Sequence, residues 1–112
     1  MEDMVLCASS AYEEKYYLNE RFFGLPESIK EELQIMCVLY TADIGGILTL
    51  IFDEEGNLEF ITNADEGDLL YDDIGSVLKI KQLREEKKEL LESLELYYKA
   101  FILGQDISSE LM

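Results

Sequence analysis

Between Ser76 and Leu103, apolar residues recur at alternating intervals of three and four: Ile80, Leu83, Leu90, Leu94, Tyr97 and Phe101, with Lys87 standing in once. In a heptad these are the a and d positions, and Arg84, Leu91 and Tyr98 fill the neighbouring e column. About three apolar positions in seven is the width of a helix face that packs on a globular core, wider than the seam of an isolated coiled coil. Glu85, Glu86, Lys88, Glu89, Glu92, Glu95 and Lys99 form the opposite, solvated side, with Glu95 and Lys99 in the favourable i,i+4 order. The spacing predicts one continuous helix over Ser76–Leu103, its Ile80/Leu83/Leu90/Leu94/Phe101 face buried and Gly104 as its stop. Ile74 and Leu78 fall opposite the main stripe, which predicts a kink or a separate short helix near Gly75. Lys87, inside the stripe, is expected to snorkel or to meet an acid of a neighbouring element.

Two other periods appear upstream. Met4–Ala8 is a short apolar run and Lys15–Leu18 is rich in Tyr, with the turn signal Ser9-Ser10-Ala11 between them. These predict a β-hairpin; the competing reading is a helix from Ser10, since Ser10 and Glu13 have capping-box spacing. Phe22, Phe23 and Leu25 are expected in a loop packed into the core. Pro26 opens a predicted helix to about Ile44, with Glu27, Glu31 and Glu32 near its positive end. Ile29, Leu33, Met36, Cys37, Tyr40 and Ile44 share one face. Ile35, Val38 and Leu39 widen it, so the C-terminal half is expected to be buried on two sides. A strand over Ile35–Thr41 is the alternative, because short apolar runs are ambiguous.

Ile47–Phe52 and Leu58–Thr62 are the clearest strands, joined by the hairpin loop Asp53-Glu54-Glu55-Gly56-Asn57. Asn63–Ser76 is an acidic connector, with Leu69, Leu70, Tyr71 and Ile74 too apolar for a floppy linker. The order ββαββα predicts a two-layer α+β fold: an antiparallel sheet of about four strands, two main helices and a long C-terminal helix among them. Both helices can sit on one sheet face, leaving the other exposed or paired. The 112 residues suit one globular domain, 1–112.

Charge changes the picture most. Nine basic residues against twenty-five acidic ones give a net charge of −16. From Glu31 to Leu78 there is no Lys or Arg, and that stretch holds twelve acids. Direct binding to nucleic acid or to anionic membrane is disfavoured, since both rest on Lys and Arg. No apolar run approaches the ~18 residues of a membrane span. The start Met1-Glu2-Asp3-Met4 lacks the basic and apolar regions of a signal peptide, so a cytoplasmic location is expected.

Candidate chemistry is sparse. Without histidine, Ser-His-Asp, Cys-His and histidine-ligated zinc sites are excluded. Cys7 and Cys37 show no CxxC spacing and are read as inert core thiols, with a disulfide as the alternative. No phosphate-binding glycine loop is present, and no cofactor is implied. Seven tyrosines are read as packing with the hydroxyl reaching water, or as an interface. Carboxylates are the abundant reactive group: Asp53, Glu54 and Glu55 in the hairpin, and Asp65, Glu66, Asp68, Asp72 and Asp73 in the connector. They lack EF-hand spacing, so they are expected to form an interaction surface rather than a metal site. Lys79, Lys81, Arg84, Lys87 and Lys88 are expected to fold back in part on the connector acids, leaving the hairpin acids least compensated.

Three functions are expected: a non-enzymatic cytoplasmic interaction module, homodimeric or docking a partner with a basic face; an acidic decoy of a basic nucleic-acid-binding protein; and a carboxylate-based divalent-cation binder or metal-dependent enzyme. Tyr16-Tyr17-Leu18-Asn19, Leu25-Pro26-Glu27, Gly45-Gly46-Ile47-Leu48-Thr49-Leu50, Asp53-Glu54-Glu55-Gly56-Asn57-Leu58, Glu66-Gly67-Asp68 and Glu95-Leu96-Tyr97-Tyr98-Lys99 resemble stretches of an uncharacterised family (domain of unknown function) of small acidic proteins from Gram-positive anaerobic bacteria. The resemblance implies a free-standing small domain and no particular activity.

Overall fold

The computed structural model describes residues 3–104. Its strands are β1 (Met4–Ser10), β2 (Lys15–Leu18), β3 (Ile47–Phe52) and β4 (Leu58–Asn63), and its helices are α1 (Glu27–Ile44), α2 (Asp73–Glu86) and α3 (Lys88–Tyr97). The strands form an antiparallel sheet in the order β2-β1-β3-β4. The fold is α+β, as the order of periods predicts. The N-terminal segment is a hairpin rather than a helix. The Ser10–Glu13 capping spacing is nonetheless used, because the Ser10 hydroxyl accepts from the Glu13 N–H within the hairpin turn.

Alternation decides which side of the sheet is covered. Leu48, Leu50 and Phe52 of β3 are buried, while Ile47, Thr49 and Ile51 between them face the other way. Register carries the same assignment across the sheet, with Cys7 opposite Leu50 and Ser9 opposite Leu48. A shift between Val5 and Cys7 lets Leu6 enter the core as an extra residue. α1 lies on the buried face. Its Leu33, Met36, Cys37, Tyr40 and Ile44 are in the core, and the Ser9 and Thr41 hydroxyls bond at 2.8 Å beneath it.

Pro26 is the cap preceding α1 rather than its first turn, with extended backbone at φ −54° and ψ 143°. The Ile35–Thr41 run is helix, not strand. Burial on two sides does not occur: Ile35, Val38 and Leu39 are exposed, because α2 covers a neighbouring stripe of α1 and leaves theirs open. Phe22 and Leu25 enter the core through a short 3-10 turn over Glu20–Phe22, but Phe23 stays outside.

The long C-terminal helical segment is present but is not continuous. It starts at Asp73, earlier than Ser76. Gly75 sits in the first turn of α2 without a kink. The break is at Lys87, whose φ of −107° and ψ of 23° end α2 and start α3. The two halves pack on different elements, which accounts for the change of direction. α2 lies against α1, where the Lys87 amine reaches the Glu32 carboxylate at 3.3 Å. α3 lies over the sheet, where the Glu95 carboxylate accepts from the Leu58 N–H at 2.8 Å instead of serving a pair with Lys99. A wider π turn over Tyr98–Ile102 follows. Leu83, Leu90, Leu91, Leu94 and Tyr98 are buried, so the inward stripe starts on the d column, keeps Leu94 from the a column and shifts to the e column at Leu91 and Tyr98. Tyr98 stacks on Phe52 with centroids 4.2 Å apart, while Phe101, expected inside, is 74% exposed.

Candidate interaction surface

The acids of the hairpin and those of the connector form two groups at opposite ends of the β3–β4 ladder. Phe52 pairs with Leu58 at the hairpin end, and Ile47 pairs with Asn63 at the connector end. At about 3.4 Å per residue, the groups are on the order of 17 Å apart along the strands. The structure therefore does not merge them into one acidic face.

At the hairpin, the Asp53 carboxylate builds the turn. It accepts from the backbone N–H of Asn57 and of Glu55, both at 2.9 Å, and from the Asn57 side-chain amide at 3.2 Å. These bonds, that from the Asn57 N–H foremost, hold its carboxyl below the usual range. Glu54 and Glu55 project into solvent.

The connector is pinned by Tyr12 of the β1–β2 turn. Its hydroxyl donates to Asp68 at 2.5 Å and accepts from the Asp65 N–H at 2.8 Å. The bond from Tyr12, and then that from the Leu70 N–H, keep the Asp68 carboxyl low, while the negative oxygen it faces raises the Tyr12 hydroxyl. Asp72 caps α2 by accepting from the Gly75 N–H at 2.7 Å. The bases downstream do not fold back here. Lys79 pairs with Asp43 and Lys87 with Glu32, both on α1, and Arg84 lies over the Phe60 ring at 4.9 Å. Among the described residues, no ion pair reaches Asp65, Glu66, Asp72 or Asp73.

Ser76 sets the orientation of α2. Its buried hydroxyl meets the Tyr40 hydroxyl at 2.6 Å and accepts from that of Tyr71 at 3.1 Å. Burial, foremost, pushes the Tyr40 hydroxyl up to about 12. With Ser76 and Leu83 turned inward, the first turns of α2 present their apolar residues outward. Leu69 and Leu70 are 95% and 93% exposed, Ile74 77%, Val77 69% and Leu78 62%. Of the connector residues read as too apolar for a floppy linker, Tyr71 packs on the core, while Leu69, Leu70 and Ile74 stand outward. The five outward aliphatic side chains make up an apolar ridge in a stretch of sequence that also carries the exposed acids Asp65, Glu66, Asp72 and Asp73. The opposite phase of Ile74 and Leu78 on the helical wheel is the sequence signal for it. Beside α2, a groove of about 440 Å³ runs along α1, with Met36, Tyr40 and Leu83 at its base and Ile35 and Leu39 on one wall.

Cys7 and Cys37 are buried, and among the described residues no group of three or more Asp, Glu or Cys side chains converges as metal ligands. No described helix is long and apolar enough to cross a membrane. These features define a two-layer α+β domain with an apolar ridge in an acidic stretch. The chain belongs to a family of unknown function, DUF6145, whose family model matches residues 3–106. No curated protein and no solved structure gives a significant match.

Proposed function

We propose that the protein is a non-enzymatic, cytoplasmic interaction module that docks a partner with a basic-rimmed apolar groove onto the ridge at residues 65–78. The carrying observation is the ridge itself. Five aliphatic side chains, the least exposed at 62%, stand in water without any core contact that requires it. Covering each contributes about 1.5–3 kcal/mol, whereas surface ion pairs contribute about 0–1 kcal/mol. Apolar contact therefore supplies the affinity, and the acids of the same stretch supply steering and selection of basic partners. The separation of the acids into two end groups supports this reading over a decoy that presents a continuous row of carboxylates.

The test compares the full chain with two variants, Leu70→Ser/Ile74→Ser/Leu78→Ser and Asp65→Lys/Glu66→Lys/Asp73→Lys. Each is used to capture proteins from lysate at low and high salt, followed by rate measurements on the purified partner. The expected partner is retained by the wild type, is lost by the serine variant and associates more slowly as salt rises. A partner held equally by both variants overturns the ridge as its docking site.

A further inference from the structure

The uncovered face of the sheet is a different surface from the ridge, and a role for it is independent of ridge docking. Its outward positions form three cross-strand rows: Lys15–Ser10–Ile47–Asn63, Tyr17–Ala8–Thr49–Ile61, and Val5–Ile51–Glu59. Tyr17, Val5 and Ile61 are exposed, and the helices lie on the other side. Lys15 and Glu59 are the charged residues of these rows, and Glu13 of the β1–β2 turn borders the face at the Lys15 end. In a chain of net charge −16, this is a broad face that carries one base and two acids. Two copies can approach here with few acids brought together, and a strongly basic partner gains little from it.

The positions of the two row charges select the occupant further. Lys15 is at one end of edge strand β2, and Glu59 is towards the other end of edge strand β4. They are three strand spacings and two rows apart, about 14 Å in each direction, so the line joining them runs at about 45° to the strands. A two-fold axis between the sheets and perpendicular to that line places Lys15 of each copy over Glu59 of the other. Reciprocal contact of this kind is what an isologous interface requires. The same rotation crosses the strands of the two copies at about 90°, the orthogonal class of sheet packing. It also brings Tyr17 over the Val5–Ile51 row and Ile47 beside Ile61. We propose that the open sheet face is a homodimer interface built on this two-fold, with Lys15 and Glu59 as its reciprocal ion pair.

A face four strands wide and about six residues long covers roughly 400 Å² per copy, near half of a standard interface, so the dimer is weak. Sedimentation equilibrium of the full chain from about 10 µM to about 1 mM spans the corresponding range of dissociation constants. Lys15→Glu and Glu59→Lys should each weaken the dimer about tenfold, since each places like charges together twice. The double variant Lys15→Glu/Glu59→Lys should return to within about threefold of wild type by the same count of pairs. Circular dichroism checks that all variants fold. Raising salt from low to physiological should strengthen the dimer by screening the repulsion between two anions, whereas ridge docking should weaken. A chain that stays monomeric throughout, or single reversals that leave the dimer constant unchanged, overturns the interface. Single reversals that weaken it without rescue by the double overturn the two-fold.

Discussion

The sulfur atoms of Cys7 and Cys37 lie 3.8 Å apart, although thirty residues separate them along the chain. The contact joins the centre of β1 to the middle of α1 and fixes where the helix crosses the sheet. The neighbouring thiol of Cys7, and then burial, push the Cys37 thiol upward, so Cys37 stays a protonated thiol in the native state. Tyr16 reaches the same place from the edge strand. Its hydroxyl is buried with no hydrogen-bond partner among the described residues, and burial raises it.

Tyr16→Phe removes that unpartnered hydroxyl while keeping the ring. Stability in urea should stay unchanged or rise by up to about 1 kcal/mol, since a buried group without a partner is a cost. A loss above about 1 kcal/mol would show that the hydroxyl is bonded in solution.

Leu94 and Phe101 separate the two halves of the C-terminal stripe. Leu94 is 1% exposed, so Leu94→Ala should cost about 2–5 kcal/mol. Phe101 is 74% exposed, and Phe101→Ala should stay within about 0.5 kcal/mol. Equal losses in denaturant unfolding would show that the inward stripe runs on to Phe101.

Gly46 and Gly67 both have positive φ, at 69° and 85°. A methyl group at Gly46 would sit 2.5 Å from the Asn63 carbonyl oxygen and 2.7 Å from the Tyr71 ring; at Gly67 it would meet nothing within 4 Å. Gly67→Ala should therefore cost about 1 kcal/mol of backbone strain, and Gly46→Ala several times that. Thermal melts of the two variants make the comparison, and equal shifts would contradict the close approach at Gly46.

Asp53 and Asp68 should titrate below the ordinary Asp value of about 3.9 in a carbon-detected NMR titration. Because their folded values are depressed, their contribution to stability is present above the unfolded value and is lost as pH falls through the folded one. Asp53→Asn should remove that dependence at the hairpin. Titration of Asp53 at or above the ordinary value would contradict the bonds that its carboxylate accepts.

Much of this architecture is legible in the sequence. Alternation locates β3 and β4, and the 3.6-residue period locates α1 and the C-terminal helical segment. The break at Lys87 leaves a single mark in the sequence, a lysine in place of one apolar residue, and the stripe resumes beyond it in the same phase. Only the switch of packing partner, from α1 to the sheet, reveals it. Phe101 escapes for the same reason: spacing records that a face exists, and the wider turn at Tyr98–Ile102 rotates it. The acids of the candidate surface are found by composition. Their division into a turn-building Asp53, a Tyr12-bound Asp68, a capping Asp72 and the remainder needs coordinates, since each depends on one or two backbone N–H groups.

The break at Lys87 also divides the molecule energetically. α2 buries Ser76 and Leu83, whereas α3 buries Leu90, Leu91 and Leu94 and leads into Tyr98 against Phe52. Lifting α2 off α1 uncovers Leu83 and parts of Met36 and Tyr40 but leaves the Phe22–Phe52–Tyr98 stack in place. Its amides are therefore expected to exchange through a partial opening that precedes global unfolding, and those of α3 and β3 to exchange last. The outward ridge rides on the first of these units, so the surface that meets a partner can adjust its seating while the sheet beneath stays folded.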